Sequence, residues 1–277
     1  MKNILLPTDF SKDSLNAINF AMDLLKKESC KFYILNVQKA SSFISDDLIV
    51  VNSSATIYRT LVVAAKKSIE NIIDDIKSKF NNERHQFRAI VDYDNFIDSI
   101  NQVCNRYHID LIIMGTKGAS GIEKVILGSN TVSVLKRCNT PALAIPKGSR
   151  YTNLDTVVLA IKKQTVFNAK VLKYLLRGDS SKLKVLDIID ADNNSTETLR
   201  DDFVKEHFPE AQHELLQVRN SKVYKGVHNY IKNNNVDLLV MVNEQHSFLE
   251  RLFINRPAET IAFKADVPIL VIPQDKV

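Results

Sequence analysis

The residues best suited to chemistry in this sequence are four glycines that lie close together. The chain of 277 residues contains only seven glycines, and four of them fall between positions 115 and 128: Gly115, Gly118, Gly121 and Gly128. Average glycine usage is about 7%, so the rest of the chain is poor in glycine. A chain that concentrates glycine in one segment needs backbone freedom there. This segment is therefore the first candidate for a ligand site.

The glycine segment has the form G-x2-G-x9-G-S, which suits the binding of an anion. Glycine lets backbone N–H groups approach a phosphate without a Cβ atom in the way. The segment follows a predicted buried strand, and Gly128 and Ser129 precede a predicted helix, whose first turn adds N–H donors and a positive dipole end. Ser129 could cap that helix or donate its hydroxyl to a phosphate oxygen. The same glycines would also serve turns and caps, but the full spacing favours a nucleotide phosphate.

The elements that would position this segment alternate between strands and helices. Strands are predicted near residues 3–8, 32–37, 87–91, 110–114 and 141–146. Apolar residues at helical spacing lie between them, as from Leu15 to Leu25. Residues 39–54 show no clear period and are predicted to be a loop. The alternation predicts an α/β fold with an open, doubly wound parallel sheet and helices on both faces.

The second half of the sequence repeats the first. With a shift of 127 positions, residues 91–146 align with residues 218–273 without a gap. We therefore predict two tandem Rossmann-like domains, each with an open parallel five-stranded sheet. Residues 1–148 form the domain with the glycine motif, and residues 152–277 form the second copy.

The second copy keeps the strand pattern and loses the glycines. At the shift of 127 positions, Gly115, Gly118, Gly128 and Ser129 are replaced in order by Val242, Gln245, Asn255 and Arg256. Side chains therefore stand where a phosphate would have to approach. We expect one ligand site per chain, in the first copy.

Composition excludes several other classes of protein. The hydrophobic share of 45% and the charged share of 25% are ordinary for a soluble globular chain. The net charge of +5 is too modest to indicate a nucleic-acid partner. No apolar run approaches the roughly 18 residues of a membrane span, and the start has no signal-peptide core. Three cysteines without a C-x-x-C pair and six histidines without an H-E-x-x-H motif predict no metal site. We expect a cytoplasmic protein with no membrane partner.

These features resemble the universal stress protein family in its tandem two-domain form, over essentially the whole chain. The resemblance rests on the start Ile-Leu-Leu-Pro-Thr-Asp-Phe-Ser, the turn Met-Gly-Thr-Lys-Gly, the Gly-Ser pair before a helix and the run Pro-Ala-Leu-Ala-Ile-Pro. The glycine motif is typical of the ATP-binding branch of that family. The resemblance therefore implies a bound adenine nucleotide, ATP, with any Mg²⁺ held through its phosphates.

The resemblance also assigns the contacts of that nucleotide. The adenosine would lie along Pro7, Thr8 and Asp9, with Asp9 as a polar contact, and the backbone at Val37 would meet the adenine. The ribose and phosphates would be held by Met114, Gly115, Gly118, Gly128, Ser129 and Asn130. Asn130 departs from the small apolar residue of some family members, but a backbone N–H contact survives that change.

Three functions are compatible with these observations. The first is a nucleotide-binding stress-response or regulatory protein, in which ATP biases the conformation or the contact with an unidentified protein partner. The second is a dimerisation or scaffold module that binds no nucleotide, and the third is a slow adenine-nucleotide hydrolase. An ATPase needs a group that positions water, and Asp9 would lie at the nucleoside end. Binding with little or no hydrolysis is therefore better supported than an enzyme.

The ends of the two copies predict how they assemble. Each copy closes with a proline-bounded apolar strand, at residues 141–146 and 268–273. An exposed apolar edge strand invites pairing with another strand. In the family that this chain resembles, such strands pair between domains, so we expect an intramolecular pseudo-dimer about an approximate two-fold axis. A homodimer of whole chains is a further expectation.

Overall fold

The first half of the chain alternates strands and helices as predicted. The computed structural model describes residues 1–38, 51–116, 127–161, 166–177, 181–190, 202–218, 223–243 and 267–274. The elements of the first half are β1 (Lys2–Pro7), α1 (Lys12–Leu24), β2 (Cys30–Val37), α2 (Val51–Phe80), β3 (His85–Asp92), α3 (Phe96–Tyr107), β4 (Leu111–Gly115), α4 (Ser129–Arg137) and β5 (Ala142–Ile145).

The second half has the same order of strands with shorter helices. Its elements are β6 (Thr156–Ile161), α5 (Lys170–Leu175), β7 (Lys182–Asp190), α6 (Asp202–His207), β8 (Gln212–Val218), α7 (Val223–Asn233), β9 (Leu238–Asn243) and β10 (Ile269–Pro273). The helix between β7 and β8 has 6 residues, whereas α2 at the equivalent place has 30.

All the described strands belong to one sheet, in the order β3-β2-β1-β4-β5-β10-β9-β6-β7-β8. Strands β5 and β10 pair antiparallel, and every other neighbouring pair in this order is parallel. Each half is thus an open parallel sheet of five strands, and the halves join through their last strands. The predicted fold and the pseudo-dimer are confirmed, while the domain boundaries at residues 148 and 152 stay a prediction.

Two hydrophobic cores lie on the opposite faces of this sheet. Successive side chains of a strand point to opposite faces, so Ile4 and Leu6 belong to one core and Leu5 to the other. Each core contains residues from both halves of the chain. Because both faces are covered, the strands are continuous apolar runs instead of alternating ones.

The long helix α2 differs from the prediction at its start. The predicted loop at residues 39–54 is wrong for residues 51–54, which are helical, and residues 39–50 lie outside the described residues. Extending a formed helix adds one hydrogen bond for each residue fixed, so polar residues can join a helix that an apolar face further along stabilises. The helix ends at Phe80, and Asn81 follows with φ of 41°, a left-handed conformation that Asn tolerates at this position.

Candidate functional site

Those predicted site residues that the structure describes gather at the carboxyl edge of the strands of the first half. Strand β1 lies between β2 and β4, and the chain order reverses there, because β2 and β3 lie to one side while β4 and β5 lie to the other. In open α/β sheets, ligands bind outside the carboxyl ends of the strands at such a switch point. Pro7 ends β1 and Gly115 ends β4. The predicted nucleoside and phosphate residues therefore lie at one edge of the sheet, where a ligand crevice is expected.

The turn after β1 is held by a compact set of hydrogen bonds. The Thr8 hydroxyl lies 2.9 Å from the Ser14 hydroxyl and accepts from the backbone N–H of Phe10 at 3.0 Å. Phe10 has φ of 63°, so the turn passes through the left-handed region. A carboxylate oxygen of Asp9 accepts from the N–H of Ser11 at 3.1 Å. Thr8 is buried and Asp9 is exposed, so this turn presents a carboxylate to the solvent.

A buried asparagine connects this turn with the end of β2. The side-chain amide of Asn36 donates to the carbonyl oxygen of Thr8 at 2.8 Å. Leu35 pairs with Pro7, the last residue of β1, so Val37 at the end of β2 lies at the same carboxyl edge of the sheet. Val37 is half-buried. The structure thus brings Pro7, Thr8 and Val37 to one edge of the sheet, and their role in binding the nucleoside stays a prediction. Sequence reasoning missed Asn36, because only its burial distinguishes it from a surface residue.

The two ends of the glycine segment meet at the end of β4. The N–H of Gly128 donates to the carbonyl oxygen of Thr116 at 2.7 Å, and the Thr131 hydroxyl donates to that of Gly115 at 2.9 Å. The N–H of Thr116 donates to Ile145 of the neighbouring strand at 2.9 Å. These bonds hold the start of α4 beside the crevice. Both threonines are buried, and the sequence analysis assigned neither of them a role in the site.

The start of α4 exposes backbone donors without a side-chain cap. Its N-cap residue is Gly128, not Ser129, and no side-chain hydrogen bond caps it. By contrast, Ser11 caps α1 and Asn95 caps α3 through their side chains. Ser129 and Asn130 are the first two helical residues, and both are exposed. The first N–H groups of a helix lack intrahelical partners and attract anions, so this terminus can receive a phosphate.

Gly115 has a packing role that its sequence context does not reveal. A Cβ atom built on Gly115 would lie 2.8 Å from the backbone oxygen of Asp13 and 3.4 Å from the backbone nitrogen of Ser14. The missing side chain therefore lets the first turn of α1 approach β4. Met114, the preceding residue, is buried in the hydrophobic core. Contacts of these two residues with a ligand would have to involve backbone atoms.

Part of the predicted motif lies outside the described residues. Gly118 belongs to the segment 117–126, which lies outside the described residues. In the second copy, Val242 occupies the position of Gly115 and is buried near the end of β9. The residues that replace Gly118, Gly128 and Ser129 also lie outside the described ranges.

The cysteines are buried thiols, as their apolar surroundings in the sequence suggest. Cys30, Cys104 and Cys138 are all free and buried. Burial raises the pKa of Cys30 and Cys104 to about 11 and that of Cys138 to about 12. The thiolate is the reactive form, so these cysteines are unsuited to nucleophilic chemistry. Among the described residues, no group of three or more His, Cys, Asp or Glu could hold a metal ion.

None of the helices in the described ranges combines the length and apolar character that a bilayer crossing requires.

The crevice is built from four short segments: the turn after β1, the end of β2, the end of β4 and the start of α4.

Comparison with known proteins places this architecture in a family. The model of the universal stress protein family matches residues 1–146 and again residues 164–273. Universal stress protein MJ0531 of Methanocaldococcus jannaschii is 26% identical over 150 residues, which are 53% of this chain and 82% of that protein. Universal stress protein MJ0577 of the same organism is 23% identical over 154 residues, 53% of this chain and 95% of that protein.

A solved structure shares the architecture of the whole chain. The crystal structure of a universal stress protein from Archaeoglobus fulgidus aligns over 99% of this chain and 97% of its own, with a TM-score of 0.65 and 17% identity. At that identity the likeness shows the fold, and it includes both halves. The family model covers most of the chain in two consecutive matches. This chain therefore belongs to the universal stress protein family and carries its domain twice.

Proposed function

We propose that this protein binds an adenine nucleotide, ATP, in the crevice of its first half and acts as a nucleotide-dependent regulatory protein. The observation that carries the proposal is the placement of the uncapped start of α4. The bond from Gly128 to Thr116 holds this helix terminus beside the end of β4, at the switch point of the sheet. At this exposed helix start, the backbone N–H groups and the positive end of the helix dipole favour an anion at the same position.

The phosphates would bind at the start of α4. The exposed residues Ser129 and Asn130 offer their backbone N–H groups, and the Ser129 hydroxyl adds a further donor. The first turn of α4 contains no acidic residue that would repel an anion. Gly118, which lies between β4 and α4 in the sequence, would complete this phosphate site. Any Mg²⁺ would be held through the phosphates of the nucleotide.

The nucleoside would lie across the ends of β1 and β2. The exposed carboxylate of Asp9 can accept a hydrogen bond from a hydroxyl or amino group, and it is fixed by its bond to the N–H of Ser11. The half-buried backbone at Val37 would face the adenine, and Pro7 and Thr8 would form the floor. Met114 and Gly115 would flank the ribose through backbone atoms. This arrangement places the adenine and the phosphates on opposite sides of β1.

We propose regulation instead of turnover as the use of this site. Hydrolysis requires a group that orients water at the γ-phosphate, whereas Asp9 would face the nucleoside. Occupancy of the crevice would then change the conformation or the contact with a protein partner. The cytoplasmic location, the partner and a homodimer of whole chains stay predictions from the sequence.

The test is to identify what the purified protein carries and binds. The protein is purified, denatured and filtered, and the released small molecules are identified by mass spectrometry. The proposal expects an adenine nucleotide at up to one equivalent per chain. A nucleotide-free preparation that also fails to bind added ATP in calorimetry would leave the scaffold function as the better description. A phosphate-release assay on the same sample separates binding from hydrolysis.

A further inference from the structure

The helix that starts at the proposed phosphate site ends at the other half of the chain. The side-chain amide of Asn243 donates to the carbonyl oxygen of Lys136 at 3.0 Å. Lys136 is the second-to-last residue of α4, and Asn243 is the last residue of β9. The two residues are 107 positions apart in the sequence. One end of α4 therefore borders the proposed ligand, and the other end is bonded to the second copy.

This bond gives the last turn of α4 a hydrogen-bond donor from the other half of the chain. The last four carbonyl groups of a helix have no intrahelical donor, and they carry its negative end. An amide N–H from Asn243 satisfies one of them. Helix α4 has only 9 residues, about 13 Å, so a shift at one end is carried to the other.

The antiparallel junction explains why Asn243 reaches α4. Because β10 runs antiparallel to β5, the carboxyl ends of the second copy's strands lie at the edge where β5 begins. Helix α4 ends at that edge, since it connects the end of β4 to the start of β5. The contact thus follows from the pairing of the two copies.

Equivalent residues of the two copies hold opposite ends of this one helix. At the shift of 127 positions, Asn243 corresponds to Thr116. Thr116 accepts from Gly128 at the start of α4, and Asn243 donates to Lys136 near its end. Both residues stand where a central strand of their copy ends.

We propose that Asn243 is a positioning residue that sets the place of α4 and thereby the affinity of the nucleotide site in the other half. This inference rests on the proposed function. Without the bond, the last turn of α4 loses this contact with the second copy, and the N–H groups of Ser129 and Asn130 are held less firmly against the ligand. The degenerate second copy would then serve to support the site of the first.

The experiment compares two asparagine variants that lose the same kind of bond. Asn243→Ala removes the bond to Lys136, and Asn234→Ala removes a bond to the carbonyl oxygen of Tyr230 at 2.9 Å, which lies within the second copy. Both asparagines are half-buried. For each protein, ATP affinity is measured by calorimetry, stability by urea unfolding, and amide exchange of α4 by mass spectrometry.

The expected result is a loss of affinity for one variant only. Asn243→Ala should bind ATP about 3- to 10-fold more weakly, which is the loss expected when one hydrogen bond is removed. Amide exchange in residues 129–137 should be faster. Asn234→Ala should lose similar stability and keep the wild-type affinity and exchange in α4. Equal ATP affinity of Asn243→Ala and the wild type, or an equal loss in both variants, would overturn the inference alone. A wild type that binds no ATP would overturn the proposed function as well.

Discussion

Leu143 and Leu270 are register partners at the centre of the antiparallel junction between β5 and β10, and they are equivalent residues of the two copies. On either side, Ala142 pairs with Val271, the equivalent of Ala144 at the shift of 127 positions, and Ala144 pairs with Ile269, the equivalent of Ala142. One residue of β5 thus pairs with the equivalent of a second, and the second pairs with the equivalent of the first. Such a pairing is symmetric about its centre. The approximate two-fold axis of the pseudo-dimer therefore passes between Leu143 and Leu270.

The first prediction concerns this junction. Leu143 and Leu270 are 1% and 0% exposed, so Leu143→Lys with Leu270→Lys would bury two like charges against each other. We expect a loss of about 3–5 kcal/mol or more in the free energy of unfolding, together with an expanded shape in small-angle scattering. Leu215→Lys is the control, because that side chain is 47% exposed on the edge strand β8. A double variant with wild-type unfolding and scattering would contradict the pseudo-dimer.

The second prediction concerns the approach of α1 to β4. Gly115→Ala would place a Cβ atom 2.8 Å from the backbone oxygen of Asp13, and backbone atoms yield little. We expect the free energy of unfolding to fall by about 1–3 kcal/mol, the usual cost of overpacking. Urea unfolding measures this loss.

A second glycine provides the control for that experiment. Gly148 has φ of 73°, which Asn tolerates, and a Cβ atom there would meet nothing within 4 Å. Gly148→Asn should cost less than about 1 kcal/mol, because only the left-handed backbone opposes it and Asn adopts that conformation more readily than most residues. If Gly115→Ala were equally harmless, the packing role assigned to Gly115 would be wrong.

The third prediction concerns the dependence of stability on pH. Burial lowers the pKa of His85 below its ordinary 6.5, although a hydrogen bond from its ring to the carbonyl oxygen of Leu25 at 3.1 Å opposes the shift. The unfolded chain therefore takes up this proton at a higher pH than the folded chain. The stability contributed by neutral His85 is present above pH 6.5 and is lost as the pH falls from there towards the folded pKa.

A variant without the imidazole isolates this effect from other titrating groups. Urea unfolding of the wild type and of His85→Gln is compared at pH 7.5 and pH 5.5. The wild type should lose more stability than the variant over this interval. An identical loss in both proteins would show that His85 carries none of the pH dependence.

Much of the fold could be predicted because local patterns and the global fold agree. Runs such as Ile4-Leu5-Leu6 are apolar at consecutive positions, which together with the flanking Pro7 is typical of a strand covered on both faces. The shift of 127 positions related Leu143 to Leu270 before their pairing was known. The helical state of residues 51–54 could not be predicted, since three of them are polar and become helical by extension of the helix.

The site was predictable in its backbone features and not in its buried polar contacts. Gly128 and Ser129 mark a helix start in any α/β sequence, but the choice of Gly128 as the N-cap depends on its bond to Thr116. Thr131 and Asn36 resemble surface residues by type, and only tertiary burial shows that they hold the site together. Sequence patterns carry no direct record of such long-range bonds.

The central claim is that a nucleotide phosphate binds at the start of α4, once per chain. Asn130→Asp tests it most directly, because the change keeps the shape of the side chain and adds one negative charge at the exposed first turn. A carboxylate there favours the helix, so stability should not fall, while the charge should repel a phosphate. Asn105→Asp is the matched control, since it makes the same change of charge at an exposed position near the end of α3.

The measurement is a calorimetric titration of ATP into the wild type and these two variants. We predict one site per chain in the wild type, affinity weakened at least about tenfold in Asn130→Asp, and wild-type affinity in Asn105→Asp. Two equivalent sites per chain, or wild-type affinity in Asn130→Asp, would contradict the account.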